Sequence, residues 1–219
     1  MDEYITREMA VKAVKKMRQF HSDVVGVYDA HDMNLLSNLG RRNIVMSQAQ
    51  EKFFAQVLSE YHQGVYEDGR TGQPDIVIEG LQKELECKLT SRHTSGSISF
   101  QSDYQALLQK GELDYLYIIA DRHFQEFAVL HFIGLSVDDF RSVAPGSRGK
   151  VSMYKHRGMK KCRVLLGNVI NISESHINKI DAMLSALGEN NSSQAKKLQK
   201  RLDYWMSTPD KYSFELEKI

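Results

Sequence analysis

The sequence is sparing with covalent and rigid elements: its 219 residues include two cysteines, three prolines and one tryptophan. Cys87 and Cys162 cannot build a disulfide framework, and no His/Cys group has the spacing of a zinc site. So few prolines leave no rigid linker. No apolar run approaches the roughly 20 residues needed to cross a bilayer. The start, Met1-Asp2-Glu3, lacks the basic-then-apolar character of a secretory signal. These absences predict a reduced, cytoplasmic protein without a membrane partner. The length suits one domain, 1–219, with a core that needs no staples.

An excess of charge of one sign is also missing. There are 29 basic and 28 acidic residues, a formal net charge of +1, which taken alone argues against a nucleic-acid partner. The balance conceals segregation, because the stretch from Arg141 to Arg163 holds eight basic residues and no acidic one. A phosphate-binding footprint depends on local rather than net charge.

Apolar periodicity predicts a helix over residues 5–20 through Ile5, Met9, Ala13, Met17 and Phe20. Ser47 and Gln50 read as a capping box opening a second helix, with a stripe of Phe53, Phe54, Val57, Leu58 and Tyr61. A loop over 63–73 then leads into two strands, and 97–101 is a candidate third. Ser102 and Gln105 suggest another capping box, with Gly111 at the C-terminal cap. Strands are expected at Tyr115–Ala120, Glu126–Gly134 and Arg163–Leu166. A helical hairpin over about 173–207 closes the chain, with the stripes Ile177, Ile180, Leu184, Leu187 and Ala195, Leu198, Leu202, Trp205. The fold class expected is α/β (α+β): a mixed central sheet flanked by helices, with a core at about 47–135 and a basic insertion at about 141–163.

The stretch from Pro74 to Lys88, PDIVIEGLQKELECK, carries the chemistry. If Gly80-Leu81 is a two-residue type II′ hairpin loop, Val77 pairs with Glu84 and Asp75 with Glu86. Alternation then puts Ile76, Ile78, Leu85, Cys87 and Leu89 on one face, and Asp75, Glu79, Glu84, Glu86 and Lys88 on the other. Two carboxylates facing each other across a strand pair are unfavourable in a purely structural sheet. A divalent cation reverses that balance, and hard oxygen donors suit magnesium. Lys88, two residues beyond Glu86, adds a cation to the same face. Metal, water and cation at one point make a site for phosphodiester hydrolysis.

Pro74-Asp75, ten intervening residues and then Glu86-Cys87-Lys88 resembles the signature of the PD-(D/E)XK nuclease superfamily. The helix before it and the strand, helix and strand after it extend the resemblance over about 47–120. The resemblance implies a restriction-endonuclease-like core and Mg2+ held by Asp75, Glu86 and the backbone carbonyl of Cys87. It implies that Lys88 serves the attacking water and that the products carry a 5′-phosphate and a 3′-hydroxyl. A further glutamate from the preceding helix is Glu51 or Glu60, with Glu51 preferred.

Given such a site, the basic run is a candidate DNA-recognition segment. Val151–Lys155 and Lys160–Leu166 are expected to form a ribbon turning at 156–159, sized for a major groove. Arg148, Lys150, Lys155, Arg157, Lys160 and Lys161 are the candidate DNA contacts, with Arg92 and His93 after the second strand. The function expected is a type II restriction endonuclease, a homodimer on a short double-stranded site, with a DNA methyltransferase acting on the same site as a partner. A structure-specific repair or phage recombination nuclease and an inactive DNA-binding module are the alternatives.

Overall fold

The computed structural model describes residues 3–68, 70, 73–92, 98–144, 149–187 and 192–219. In chain order the elements are α1 (Arg7–Asp29), α2 (Leu39–Ser59), β1 (Val65–Glu67), β2 (Ile76–Ile78), β3 (Lys83–Ser91), β4 (Gln101–Asp103), α3 (Tyr104–Lys110), β5 (Glu112–Ala120) and β6 (Glu126–Ser136). They continue with β7 (Lys150–Ser152), α4 (Lys155–Gly158), β8 (Cys162–Leu166), β9 (Asn168–Asn171), α5 (Ile172–Ala186), α6 (Ser192–Met206), β10 (Tyr212–Glu215) and β11 (Glu217–Lys218).

A mixed α/β architecture with a central mixed sheet flanked by helices results. The sheet has seven strands in the order β1-β2-β3-β5-β6-β11, with β8 sharing the outer edge of β6. Only β3 and β5 among these neighbours run parallel, and their connection is the crossover that carries α3, as parallel pairing requires. One face, including Ile76, Ile78, Leu85, Cys87, Leu116 and Ile118, packs on α1 and α2. The other, including Tyr115, Tyr117, Ile119, Leu130 and Phe132, is covered by Phe100, Leu107, Phe140, Val151 and Met153. No helix among the described residues is long and apolar enough to cross a membrane.

Several expectations shift. The second helix begins at Leu39, because the Asn38 side chain accepts the Arg41 N–H at 3.1 Å. Ser47 is interior to it, and its hydroxyl donates back to the Ile44 carbonyl at 2.9 Å instead of capping. In front of α3 the cap is Asp103, while Ser102 is hydrogen-bonded to the Tyr115 hydroxyl at 2.5 Å. The candidate third strand starts only at Gln101 and pairs with β7 rather than joining the main sheet. Ser97 lies outside the described residues, as does most of the turn between the last two helices. The short strands β1, β9, β10 and β11 were not expected.

The basic ribbon does not form. Val151 and Met153 are buried in the core under the sheet, and β7 pairs with β4 while β8 pairs with β6. Residues 155–161 between them form one turn of α-helix followed by a 3-10 turn. Each half of the expected hairpin finds a better apolar partner elsewhere than in the other half.

Arg42 joins the helical layer to the end of β3. It is fully buried and donates to the carbonyls of Asp121 and Arg122 at 2.8 and 2.7 Å and to Ser91 Oγ at 2.8 Å. Its guanidinium also lies 5.2 Å from the centroid of the Phe124 ring. Replacement by alanine strands several buried acceptors and opens a cavity. Arg42→Ala is expected to lower the urea-unfolding free energy by about 3 kcal/mol or more, and Arg42→Lys to recover less than half of that loss. A wild-type denaturation midpoint in Arg42→Ala would remove this joint from the account.

Candidate active site

The register of β2 and β3 builds the site. Val77 pairs with Glu84 and Ile76 with Leu85, which sets Asp75, just before β2, across from Glu86. The expected register is therefore present, but its turn is different. Residues Glu79–Leu81 make a 3-10 turn, and the left-handed residue is Gln82, with φ 52°. Gly80 is required for another reason: its N–H donates to the Gln63 carbonyl at 3.1 Å, and a Cβ there would stand 2.9 Å from that oxygen. The turn is stitched to the segment leading into β1.

Beyond Asp75, β2 has not yet begun, so the edge of β3 is open to side chains. The Asp75 carboxylate uses it, with Oδ2 accepting the Cys87 N–H at 2.7 Å. Both main-chain polar groups of a strand residue point to the same side, so the Cys87 carbonyl faces this gap as well. The Cys87 side chain points the other way and is buried in the core. Burial pushes its thiol well up, which leaves it neutral and unreactive.

Lys88 forms an ion pair with Glu86. Their side chains keep 30% and 24% of their surface exposed, enough for a ligand to reach both. Burial pulls the Lys88 ammonium down, but Glu86 and then Asp75 outweigh it and hold the group above its ordinary value. Lys88 is thus a cation at neutral pH, not a free base.

Glu51 of α2 joins this group. Its carboxyl is pushed up to about 7 by burial and then by the negative charge of Asp75, against the pull of Lys88. Asp75 is raised to about 6 by burial and by Glu86. Glu60, the other candidate, lies 3.6 Å from Lys12 and is spent on the helix surface. Helical spacing alone could not separate the two. Glu51, Asp75 and Glu86 line one cleft of about 630 Å³ with Ser47, Arg70 and Gln73. A second cleft of about 370 Å³ shares Gln73 and Glu86 and continues past Gln105, Gln109 and Lys110.

Among the described residues, no three His, Cys, Asp or Glu side chains converge closely enough to hold a metal unaided. The donors present still fit magnesium, which takes one or two carboxylates and fills its other positions with water and phosphate. Two carboxyl groups driven above their usual range by shared burial and mutual repulsion mark a spot where added positive charge would be stabilising.

The other candidates are dispersed. Lys161 donates to the Gly134 carbonyl and to Asp139 at 2.7 and 2.8 Å. Arg157 donates to the Asp138 carbonyl at 2.7 Å, and the Lys155 ammonium lies over the Phe214 ring. Arg141 and Arg163 pair with Asp210 and Glu3. Lys150, Lys160 and Arg92 are exposed and make no ion pair among the described residues. Arg148 and His93 lie outside the described residues. Of the seven described cations in the run from 141 to 163, four (Arg141, Arg157, Lys161 and Arg163) are therefore engaged by carboxylates or carbonyls.

The raised values have a definite sign. Glu51 and Asp75 hold protons more tightly folded than unfolded, so stability is lost as pH rises from the ordinary carboxylate range through about 6 and 7. In EDTA, Glu51→Gln is expected to be more stable than wild type at pH 8, by about 1–2 kcal/mol after allowance for solvent screening, and equal to it at pH 4. Magnesium should raise the wild-type Tm at pH 8 and leave that of Asp75→Asn unmoved. A pH-independent difference, or equal magnesium shifts in both proteins, would contradict this electrostatic picture. Comparison of the chain with protein-family models, with curated proteins and with solved structures gives no match.

Proposed function

We propose that the protein is a magnesium-dependent DNA endonuclease of the PD-(D/E)XK kind, hydrolysing phosphodiester bonds of duplex DNA. One observation carries the reading: Asp75 stands across from Glu86, with the Cys87 carbonyl in the same gap and the Lys88 ammonium paired to Glu86. A helix, an antiparallel strand pair, a crossover helix and a parallel strand supply that arrangement, in the order expected of a restriction-endonuclease-like core.

Asp75, Glu86 and the Cys87 carbonyl would hold magnesium, which when bound supplies Lewis acidity toward a phosphoryl oxygen and toward water. Lys88 offers hydrogen-bond donors and a fixed positive charge where negative charge builds on the phosphate oxygens in the transition state. Its pairing with Glu86 presets its position before substrate arrives. Glu51, which lines the same cleft and whose carboxyl is raised by burial and by Asp75, is the group suited to take up the proton that the attacking water releases. Water adds to phosphorus as the bond to the 3′-oxygen breaks, the departing 3′-oxygen takes a proton from solvent water, and a 5′-phosphate and a 3′-hydroxyl result.

A type II restriction enzyme, acting as a cytoplasmic homodimer beside a DNA methyltransferase, remains the first biological setting. The missing recognition ribbon favours the second reading, a structure-specific nuclease that selects its substrate by shape. Unmethylated plasmid and branched duplexes, each incubated with magnesium, separate the two. Discrete fragments from plasmid support restriction, and cutting confined to branches supports the second. In either case Lys88→Ala and Asp75→Asn are expected to lower the cleavage rate by at least about 100-fold. Absence of cutting on every duplex, or mutants as fast as wild type, would overturn the hydrolytic reading.

A further inference from the structure

The clefts around Asp75 and Glu86 are a poor place for a polyanion to gain affinity. Glu51, Glu67, Asp68, Asp75 and Glu86 all line the larger one, and the cations that line the two clefts, Arg70 and Lys110, are already engaged. Arg70 pairs with Asp68 at 2.6 Å and Lys110 with Glu84 at 2.7 Å. Four basic residues of the segment 141–163, Arg141, Arg157, Lys161 and Arg163, are likewise engaged within the fold. Affinity for DNA, if the nuclease reading holds, therefore calls for cations beyond these engaged ones.

The densest group is on α6. Lys196, Lys197, Lys200 and Arg201 are all exposed, and none makes an ion pair among the described residues. At helical spacing they fall on one arc, with Tyr204 inside it and 54% exposed. Leu198, Leu202 and Trp205 occupy the opposite side and pack on Ile177, Ile180 and Leu184 of α5. The only carboxylate on the helix, Asp203, accepts a hydrogen bond from Gln199 at 2.9 Å.

We propose that this outer face of α6 binds the phosphate backbone of double-stranded DNA and supplies much of the protein's affinity for it. The inference rests on the nuclease reading. A helix held by its apolar stripe presents its cations without rearrangement, and a backbone contact of this kind is independent of sequence. The exposed Tyr204 adds a phenolic donor among the lysines for a phosphate oxygen. The arrangement divides labour: an acidic, metal-loving cleft cuts, and a separate basic helix holds.

The test measures affinity of the full chain for a fluorescein-labelled duplex against sodium chloride concentration in EDTA, where no cutting occurs. The quadruple variant Lys196→Gln, Lys197→Gln, Lys200→Gln, Arg201→Gln is compared with wild type and with Lys15→Gln, Lys16→Gln on α1. Glutamine is a good helix former and the face is exposed, so an unchanged Tm is expected and checks folding. The quadruple variant should bind at least about tenfold more weakly near 0.1 M salt, with a log–log salt slope smaller by about 3 to 4. The α1 variant should keep the wild-type slope. Equal slopes for wild type and quadruple variant would overturn the proposal, and wild-type cleavage in magnesium would show that the nuclease reading survives it. An equal loss in the α1 variant would reduce the effect to net charge and also overturn it. Preference of wild type for phosphatidylserine vesicles over duplex would assign the face to a lipid surface instead. The expected binding loss without any cutting in magnesium would keep the surface and remove the hydrolytic reading.

Discussion

The pairing of Ile76–Ile78 with Lys83–Leu85 is the constraint on which the site depends. Ile76, Ile78 and Leu85 are completely buried against the helices, and a shift of one residue would turn them out and carry carboxylates into the core. Hydrophobic burial thus fixes an electrostatically unfavourable arrangement, Asp75 across from Glu86. The strain is visible in the raised carboxyl of Asp75 and in that of Glu51, which α2 brings in from above the open edge of β3. Their charges oppose that placement, so something else must hold them there. The core beneath them does it.

The same division explains why α2 matters beyond packing. Its first turns hold Arg42, bonded to Ser91 at the far end of β3, and its middle holds Glu51. Gln50, next to it, donates to the Leu116 carbonyl of β5 at 2.8 Å. The helix is therefore tied by polar side chains to both of the parallel strands, and Glu51 inherits a fixed position relative to Glu86 and Lys88. Side chains anchored by buried hydrogen bonds are better placed for chemistry than those on loops.

Legibility of the sequence followed the strength of the apolar signal. The hairpin register could be read because only one register gives a clean apolar face, and that argument does not depend on the turn type. The turn itself is not legible: a glycine there suggests positive φ, whereas the role of Gly80 is close approach to Gln63, a contact no local pattern encodes. Ser47 and Gln50 mimicked a capping box inside a helix whose true cap, Asn38, had no apolar run beside it. The basic run was read as free because its partners Glu3, Asp139 and Asp210 are remote in sequence or, for Asp139, on another element. The short strands β9 to β11 were invisible, since two- to four-residue strands carry too few alternations to register.

Glu51 and Glu60 show where helical periodicity stops being informative and three-dimensional charge takes over. Both border the same apolar stripe, and both are carboxylates on one helix. Glu60 sits beside Lys12, also approached by Glu8, in a solvent-facing set of mixed sign. Glu51 faces two further carboxylates with a single lysine among them. A surface that already balances its charges has no electrostatic need of a cation, whereas a cleft lined by Glu51, Asp75 and Glu86, with only Glu86 paired to Lys88, is stabilised by one. The helix therefore balances one glutamate at its surface with Lys12 and leaves the other, Glu51, with its carboxyl raised by burial and by Asp75.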